Sequence, residues 1–84
     1  MSRALETLKR RGERYELIFA DPPYAAHVVE TVLDGIMAAG LLAPSGMVVV
    51  EHDKREAAPD AHAGLNREDQ RRFGDTLVSF YRAP

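Results

Sequence analysis

The sequence predicts an α/β fold: a parallel strand–helix–strand unit followed by an antiparallel hairpin. Three observations carry this. Leu17-Ile18-Phe19 and Met47-Val48-Val49-Val50 are short unbroken apolar runs, the pattern of strands buried on both faces of a parallel sheet. Between them Val28, Val29, Val32, Leu33, Ile36 and Met37 recur at helical spacing. After them a polar stretch, Leu65 to Phe73, and an apolar one, Thr76 to Arg82, flank Gly74-Asp75, which reads as a hairpin turn.

In chain order, residues 3–11 read as a short helix, with Ser2 as N-cap, Leu5 and Leu8 on one apolar edge and Gly12 just past its end. Residues 15–20 are the first buried strand. The helix runs over roughly 26–39 and ends at Gly40; its valines lower intrinsic helix propensity, so packing on a sheet must hold it. Leu41 and Leu42 read as core and Pro44-Ser45-Gly46 as a turn. Met47 to Val50 is the second buried strand, parallel to the first with a right-handed crossover. Residues 53–64 read as a loop with a short helical turn. In the hairpin, the apolar strand belongs inside the sheet and the charged one at a protected edge.

With 84 residues the chain reads as a single domain, 1–84, and a domain this small buries only a modest share of its surface. An apolar fraction of 45% with 29% charged residues is globular rather than disordered. The absence of cysteine excludes disulfides and thiolate metal sites. No apolar run approaches the roughly 20 residues of a membrane span, and Met-Ser-Arg-Ala-Leu-Glu lacks the apolar core of a signal peptide, so a cytoplasmic protein with no membrane partner is expected. A formal net charge of −2 argues against a nucleic-acid binder held by bulk electrostatics. Three basic clusters, Lys9-Arg10-Arg11 with Arg14, Lys54-Arg55, and Arg67 with Arg71-Arg72, read first as solvated faces.

The chemistry concentrates where the first strand ends, at Asp21-Pro22-Pro23-Tyr24. The prolines donate no backbone N–H, so the ladder stops there, and Pro22 pushes Asp21 toward an extended conformation. A carboxylate and a ring are thus held on a stiff segment at the carboxyl edge of a buried strand, where open α/β sheets bind ligands. The residues alone leave two readings open. Asp21 either caps the following helix or faces a ligand, and Tyr24 either packs at the sheet edge or stacks on a ligand. Glu51 and His52 follow the second strand on the same edge without an assigned role, no third ligand is spaced to make a metal site with them, and His27 and His62 read as surface residues.

Asp-Pro-Pro-Tyr resembles the signature of S-adenosylmethionine-dependent methyltransferases that modify exocyclic amino groups of bases. Tyr15 to Tyr24, Gly40-Leu41-Leu42-Ala43-Pro44-Ser45-Gly46, Val48-Val49-Val50-Glu51-His52, Phe73-Gly74-Asp75-Thr76 and Ser79-Phe80-Tyr81-Arg82, in this order, resemble the C-terminal half of the bacterial small-subunit ribosomal RNA guanine-N2 methyltransferase family. The resemblance covers nearly the whole chain. It implies half of a Rossmann-like sheet, with this chain supplying its fourth, fifth, seventh and sixth strands in that spatial order. It implies ribosomal RNA as substrate and S-adenosylmethionine as methyl donor. It assigns Asp21 and the Pro22 carbonyl to the catalytic role, accepting the two N–H bonds of the target amine. Pro23 and Tyr24 fall on the substrate side, with Tyr24 stacking on the base.

The cofactor side is missing from this pattern. Glycines 12, 35, 40, 46, 64 and 74 never cluster as the Gly-rich turn such cofactors need, and the family's ribose-binding acid lies in the half this sequence does not match. Cofactor-binding residues are therefore unassigned. The alternatives to an enzyme half acting on RNA are a non-catalytic remnant or assembly module, and one chain of a split enzyme. With the first three strands absent, residues 15–20 are expected to form an exposed edge that pairs with a second copy or with a separate N-terminal half.

Overall fold

The computed structural model describes residues 5–11, 14–20 and 28–84. These form one six-stranded sheet with one helix: β1 (Leu5–Arg11), β2 (Arg14–Ala20), α1 (Val28–Ala38), β3 (Leu42–Asp53), β4 (Ala61–His62), β5 (Leu65–Phe73) and β6 (Thr76–Arg82), in the spatial order β1-β2-β3-β6-β5-β4. β2 and β3 are parallel, and β6 is antiparallel to both β3 and β5. The expected strand–helix–strand unit and hairpin are present, and β2-β3-β6-β5 runs in the order the resemblance implied.

The sheet buries one face. Ile18 and Ala20 of β2, Val48 and Val50 of β3 and Tyr81 of β6 alternate toward α1, which answers with Val28, Val29, Leu33 and Ile36. Burial of an aliphatic side chain of this size is worth ~1.5–3 kcal/mol, enough to offset the weak helix propensity of the valines. Met37, placed in the apolar stripe by sequence, is 36% exposed, so the stripe is narrower than its spacing suggested. The helix ends as Gly40 predicts. With Gly40 at φ 66°, its N–H donates to Met37 O and the Leu41 N–H donates to Ile36 O, at 3.2 and 3.3 Å. This is a Schellman motif, and Leu41 packs back on the core.

Four expectations are corrected. Residues 5–11 form a strand, not a helix: β1 runs antiparallel to β2, pairing Leu5 with Ala20 and Arg11 with Arg14. A nine-residue helix is marginal alone, whereas a strand here satisfies the open edge of β2. Ser2 and Gly12, assigned to the ends of that helix, lie outside the described residues. For the same reason residues 15–20 are not an edge, because β2 is flanked by β1 and β3. Burial on both faces also fails, since Leu17 and Phe19 are only half-buried on the side away from α1. Finally, Pro44-Ser45-Gly46 does not precede the strand but lies inside it, as an irregularity between the pairs Tyr15–Leu42 and Leu17–Met47. Ser45 there has φ 63°. A side chain at Gly46 would sit 2.7 Å from Leu42 Cδ1 and 2.8 Å from Ala43 O, so the kink requires glycine.

The loop after β3 contains no helix. It holds a turn at 54–55 and then β4, which joins β5 through Ala63-Gly64, both at positive φ as a two-residue primed hairpin turn demands. The charged strand β5 lies on the outer side of β6 as expected, but it is not the outermost strand: the two-residue β4, in a stretch read as loop, pairs beyond it.

Candidate active site

The carboxyl ends of β2 and β3 lie side by side. Ala20, the last residue of β2, pairs with Val50, and β3 runs on to Asp53. The turn between β5 and β6 comes to the same edge, because Asp53 pairs with Thr76 and Thr76 with Phe73. Asp21, Pro22, Pro23 and Tyr24, the residues assigned to catalysis and substrate binding, lie outside the described residues, as does His27. They are the segment that joins the end of β2 to the start of α1.

At this edge the described residues are tightly tied. His52 and Ser79 are fully buried. The Asp53 carbonyl can only accept, so His52 Nδ1 carries the proton that donates to it, at 3.1 Å. In the neutral ring Nε2 then accepts from the Ser79 hydroxyl at 2.8 Å, and Ser79 Oγ in turn accepts from Gln70 Nε2 at 2.9 Å. Both ring nitrogens are thus occupied in a structural network joining β3, β6 and β5. Glu51, its neighbour, is half-buried at the same edge. His62 is partly exposed, with Nε2 2.9 Å from Asp34 Oδ1.

The turn that follows is built on Asp53. Its Oδ1 accepts the Arg55 backbone N–H at 2.8 Å and Arg55 Nε at 2.9 Å, and Arg55 Nη2 donates to Oδ2 at 3.2 Å. The Arg55 guanidinium and backbone N–H hold the Asp53 carboxyl down to about 2, and the same pairing raises Arg55. The Lys54 N–H donates to Asp75 O at 2.9 Å, and Lys54 Nζ lies 3.0 Å from Asp75 Oδ1, fastening the turn to the β5–β6 tip. Glu56, at the end of this turn, accepts the Val29 N–H at 2.9 Å through Oε2. Sequence reasoning missed this contact, because it joins residues 27 apart that share no local pattern.

Of the basic clusters, the side chains of Lys9, Arg10 and Arg11 lie outside what the structure describes, and those at 67–72 are engaged. Arg67 bonds Asp60 and the Ala58 carbonyl, Arg71 pairs with Asp69, and Arg72 donates to Gly74 O. Phe73 at the hairpin tip is 64% exposed.

The implied cofactor does not fit the described residues. Gly35, Gly40, Gly64 and Gly74 face open space on the helix and in turns, and Gly46 is packed against Leu42. None opens a helix after a strand, the arrangement that lets backbone approach a cofactor of this kind.

Comparison with known proteins agrees with the fold. A protein of Bacillus subtilis named "Putative rRNA methyltransferase YlbH" is 30% identical over 80 residues, which are 95% of this chain and 44% of that protein. A conserved hypothetical protein of Streptococcus pyogenes superposes with a TM-score of 0.73 at 35% identity, over 84% of this chain and 44% of its own. A structure titled "Putative methyltransferase yhhF from Escherichia coli" gives a TM-score of 0.69 at 20% identity over 83% of this chain and 39% of its own, a likeness of fold alone. The chain therefore spans less than half the length of the relatives it matches, and its sheet is structurally similar to part of theirs. The family model described as conserved hypothetical protein 95 matches residues 1–82, and this chain belongs to that family.

Proposed function

We propose that this chain is the base-side half of an RNA methyltransferase, and that the reaction it serves is guanine-N2 methylation of ribosomal RNA. One observation carries the reading. Asp-Pro-Pro-Tyr begins one residue beyond Ala20, where β2 ends beside β3 at the carboxyl edge of a parallel pair.

The chemistry needs such a pair of acceptors. The lone pair of an exocyclic amine is delocalised into the base, so the nitrogen is a poor nucleophile. The Asp21 carboxylate and the Pro22 carbonyl accept its two N–H bonds, draw the lone pair back to nitrogen and aim it. Both effects are electrostatic and positional. Tyr24 stacks on the base, worth ~1–3 kcal/mol, and Pro23 falls with it on the substrate side. The rival reading of Asp21 as cap of α1 is weakened, because Glu56 already bonds the Val29 N–H.

The methyl donor implied is S-adenosylmethionine; the described residues do not build its binding side, and pairing with a separate N-terminal half in the cytoplasm is one arrangement that supplies it. No described helix is long and apolar enough to cross a membrane. A second copy covering the half-exposed sheet face is the other arrangement to test. The decisive experiment follows transfer of a labelled methyl group to ribosomal RNA by an assembly containing the chain. Asp21→Ala should lower the rate by orders of magnitude while leaving affinity for the donor nearly intact. Unchanged turnover would remove Asp21 from the mechanism and leave a non-catalytic assembly module as the better reading.

A further inference from the structure

Phe73 is the aromatic most open to solvent among the described residues. It is 64% exposed, where Tyr15, Phe19 and Phe80 are half-buried and Tyr81 is fully buried. It stands at the tip of the β5–β6 hairpin, on a strand exposed from Glu68 onward. One exposed ring needs no explanation by itself; the groups beside this one point to a ligand. The tip is held in place at its base. Gly74 turns the chain at φ 62°, and Lys54 grips Asp75 through both its N–H and its Nζ. The arginines differ in how they are engaged. Arg67 and Arg82 donate their Nη groups inward, the first to Ala58 O and Asp60, the second to Ser45 O and Glu68. Among the described residues Arg71 and Arg72 donate only through Nε, to Asp69 at 3.2 Å and to Gly74 O at 2.8 Å. Their Nη groups are left as oriented, solvent-facing forks, the geometry that suits a phosphate.

Charge at the tip points the same way. Asp53 is paired with Arg55, Asp69 with Arg71 and Asp75 with Lys54, so Arg72 is a cation in excess. The pairing Arg71–Val78, Arg72–Leu77 and Phe73–Thr76 puts Arg71 and the Phe73 ring on one face of β5, about 7 Å apart along the strand, and Arg72 on the other. A chain with a formal net charge of −2 cannot hold nucleic acid by bulk attraction, so it needs a local ring with local forks.

We propose that the β5–β6 tip is a contact surface for single-stranded RNA. A base stacks on the Phe73 ring, and the Nη groups of Arg71 and Arg72 take neighbouring phosphates. The tip stands at the edge where β3 ends, because Asp53 pairs with Thr76. The nucleotides held are therefore those flanking a target at that edge; this last step rests on the function proposed above, and the contact surface does not.

Fluorescence anisotropy of a labelled, unstructured, guanine-containing RNA oligonucleotide tests it, with the purified 84-residue chain, no methyl donor, and a series of salt concentrations. Wild type should bind saturably at low salt. Phe73→Leu keeps apolar bulk without a ring and should bind roughly five- to hundredfold more weakly, the worth of one stacked base. Phe73→Tyr keeps the ring and should bind as wild type does. Arg71→Gln and Arg72→Gln should each reduce the slope of log affinity against log salt by roughly 0.7, one phosphate contact on a single strand. Arg14→Gln removes an exposed cation at the start of β2 and should leave that slope unchanged. No saturable binding by wild type, an affinity indifferent to Phe73→Leu, or an Arg14→Gln slope that falls as far as that of Arg72→Gln would each overturn the proposal. Should a variant fold poorly in urea melts, NMR titration of wild type with the same RNA decides, and amide shifts that spare residues 71–73 refute the surface. The two claims separate. RNA held at this tip, with methyl transfer indifferent to Asp21→Ala, keeps the surface and discards the function. Transfer that depends on Asp21, with Phe73→Leu binding RNA as wild type does, has the opposite consequence.

Discussion

Replacing Tyr81 by phenylalanine removes one oxygen from the centre of the molecule and little else. Tyr81 is fully buried on β6, among Val48, Leu65 and the residues of α1, and its hydroxyl donates to the Pro59 carbonyl at 2.6 Å. That bond holds the loop between β3 and β4 onto the sheet. A net hydrogen bond is worth ~0.5–1.5 kcal/mol, and a carbonyl left without its donor adds to the loss when it stays dry. Burial, with Glu56, Asp60 and Glu30 adding to it and Arg67 opposing it, pushes the phenol up to about 12. Two pH units above the ordinary phenol value correspond to a ceiling of ~2.7 kcal/mol. The hydroxyl reaches a part-buried carbonyl rather than a sealed one, so the expected cost of Tyr81→Phe is lower, ~1–2 kcal/mol. For a domain of this size that is a fall in Tm of ~4–16 °C. The sign of the pH effect follows from the raised value. The neutral phenol is the form favoured by folding, so its contribution is complete below pH 10 and is lost as pH rises through 12. Urea melts of both proteins at pH 7 and across pH 9 to 12 measure this. A variant as stable as wild type at pH 7, or a difference that grows above pH 10, would refute the reasoning.

Three further outcomes follow from single residues. Gly35 sits inside α1 with nothing within 4 Å of where a side chain would begin, so Gly35→Ala should stabilise the chain by ~1 kcal/mol in the same melts. Gly46→Ala should destabilise it by ~1–3 kcal/mol, because the added carbon meets the Ala43 carbonyl at 2.8 Å as well as Leu42. Asp53→Asn keeps the Arg55 N–H acceptor but loses the charge. Since the Asp53 carboxyl is held down to about 2, wild type should lead this variant by a constant margin above pH 4, and the margin should vanish as pH falls from 4 to 2. Thermal melts over that range check it.

What the sequence disclosed depended on how local the cause was. β2, α1 and β3 were legible because apolar runs and a helical stripe state their own burial, and Gly40 states its own positive φ. The β5–β6 hairpin was legible from Gly74, which takes φ 62° in the turn. β1 was not, because Leu5 and Leu8 sit at helical spacing and only the open edge of β2 makes them strand. Nor was the kink at Pro44 to Gly46, whose residues read as a strand end and serve instead to bend a strand that continues. At the site, the sequence named Asp21 to Tyr24, which lie outside the described residues. The Glu56–Val29 bond and the His52–Ser79–Gln70 network are long-range and carry no spacing signature.

The central claim is that this chain holds the base side of a methyl-transfer site and not the donor side. Calorimetric titration of S-adenosylmethionine into the purified chain tests it most directly. The account predicts no heat of binding at micromolar concentrations of chain and donor, since no described glycine opens a helix after a strand. A micromolar dissociation constant, ~−8.2 kcal/mol of binding free energy, would contradict it and show that these residues build a donor site of their own.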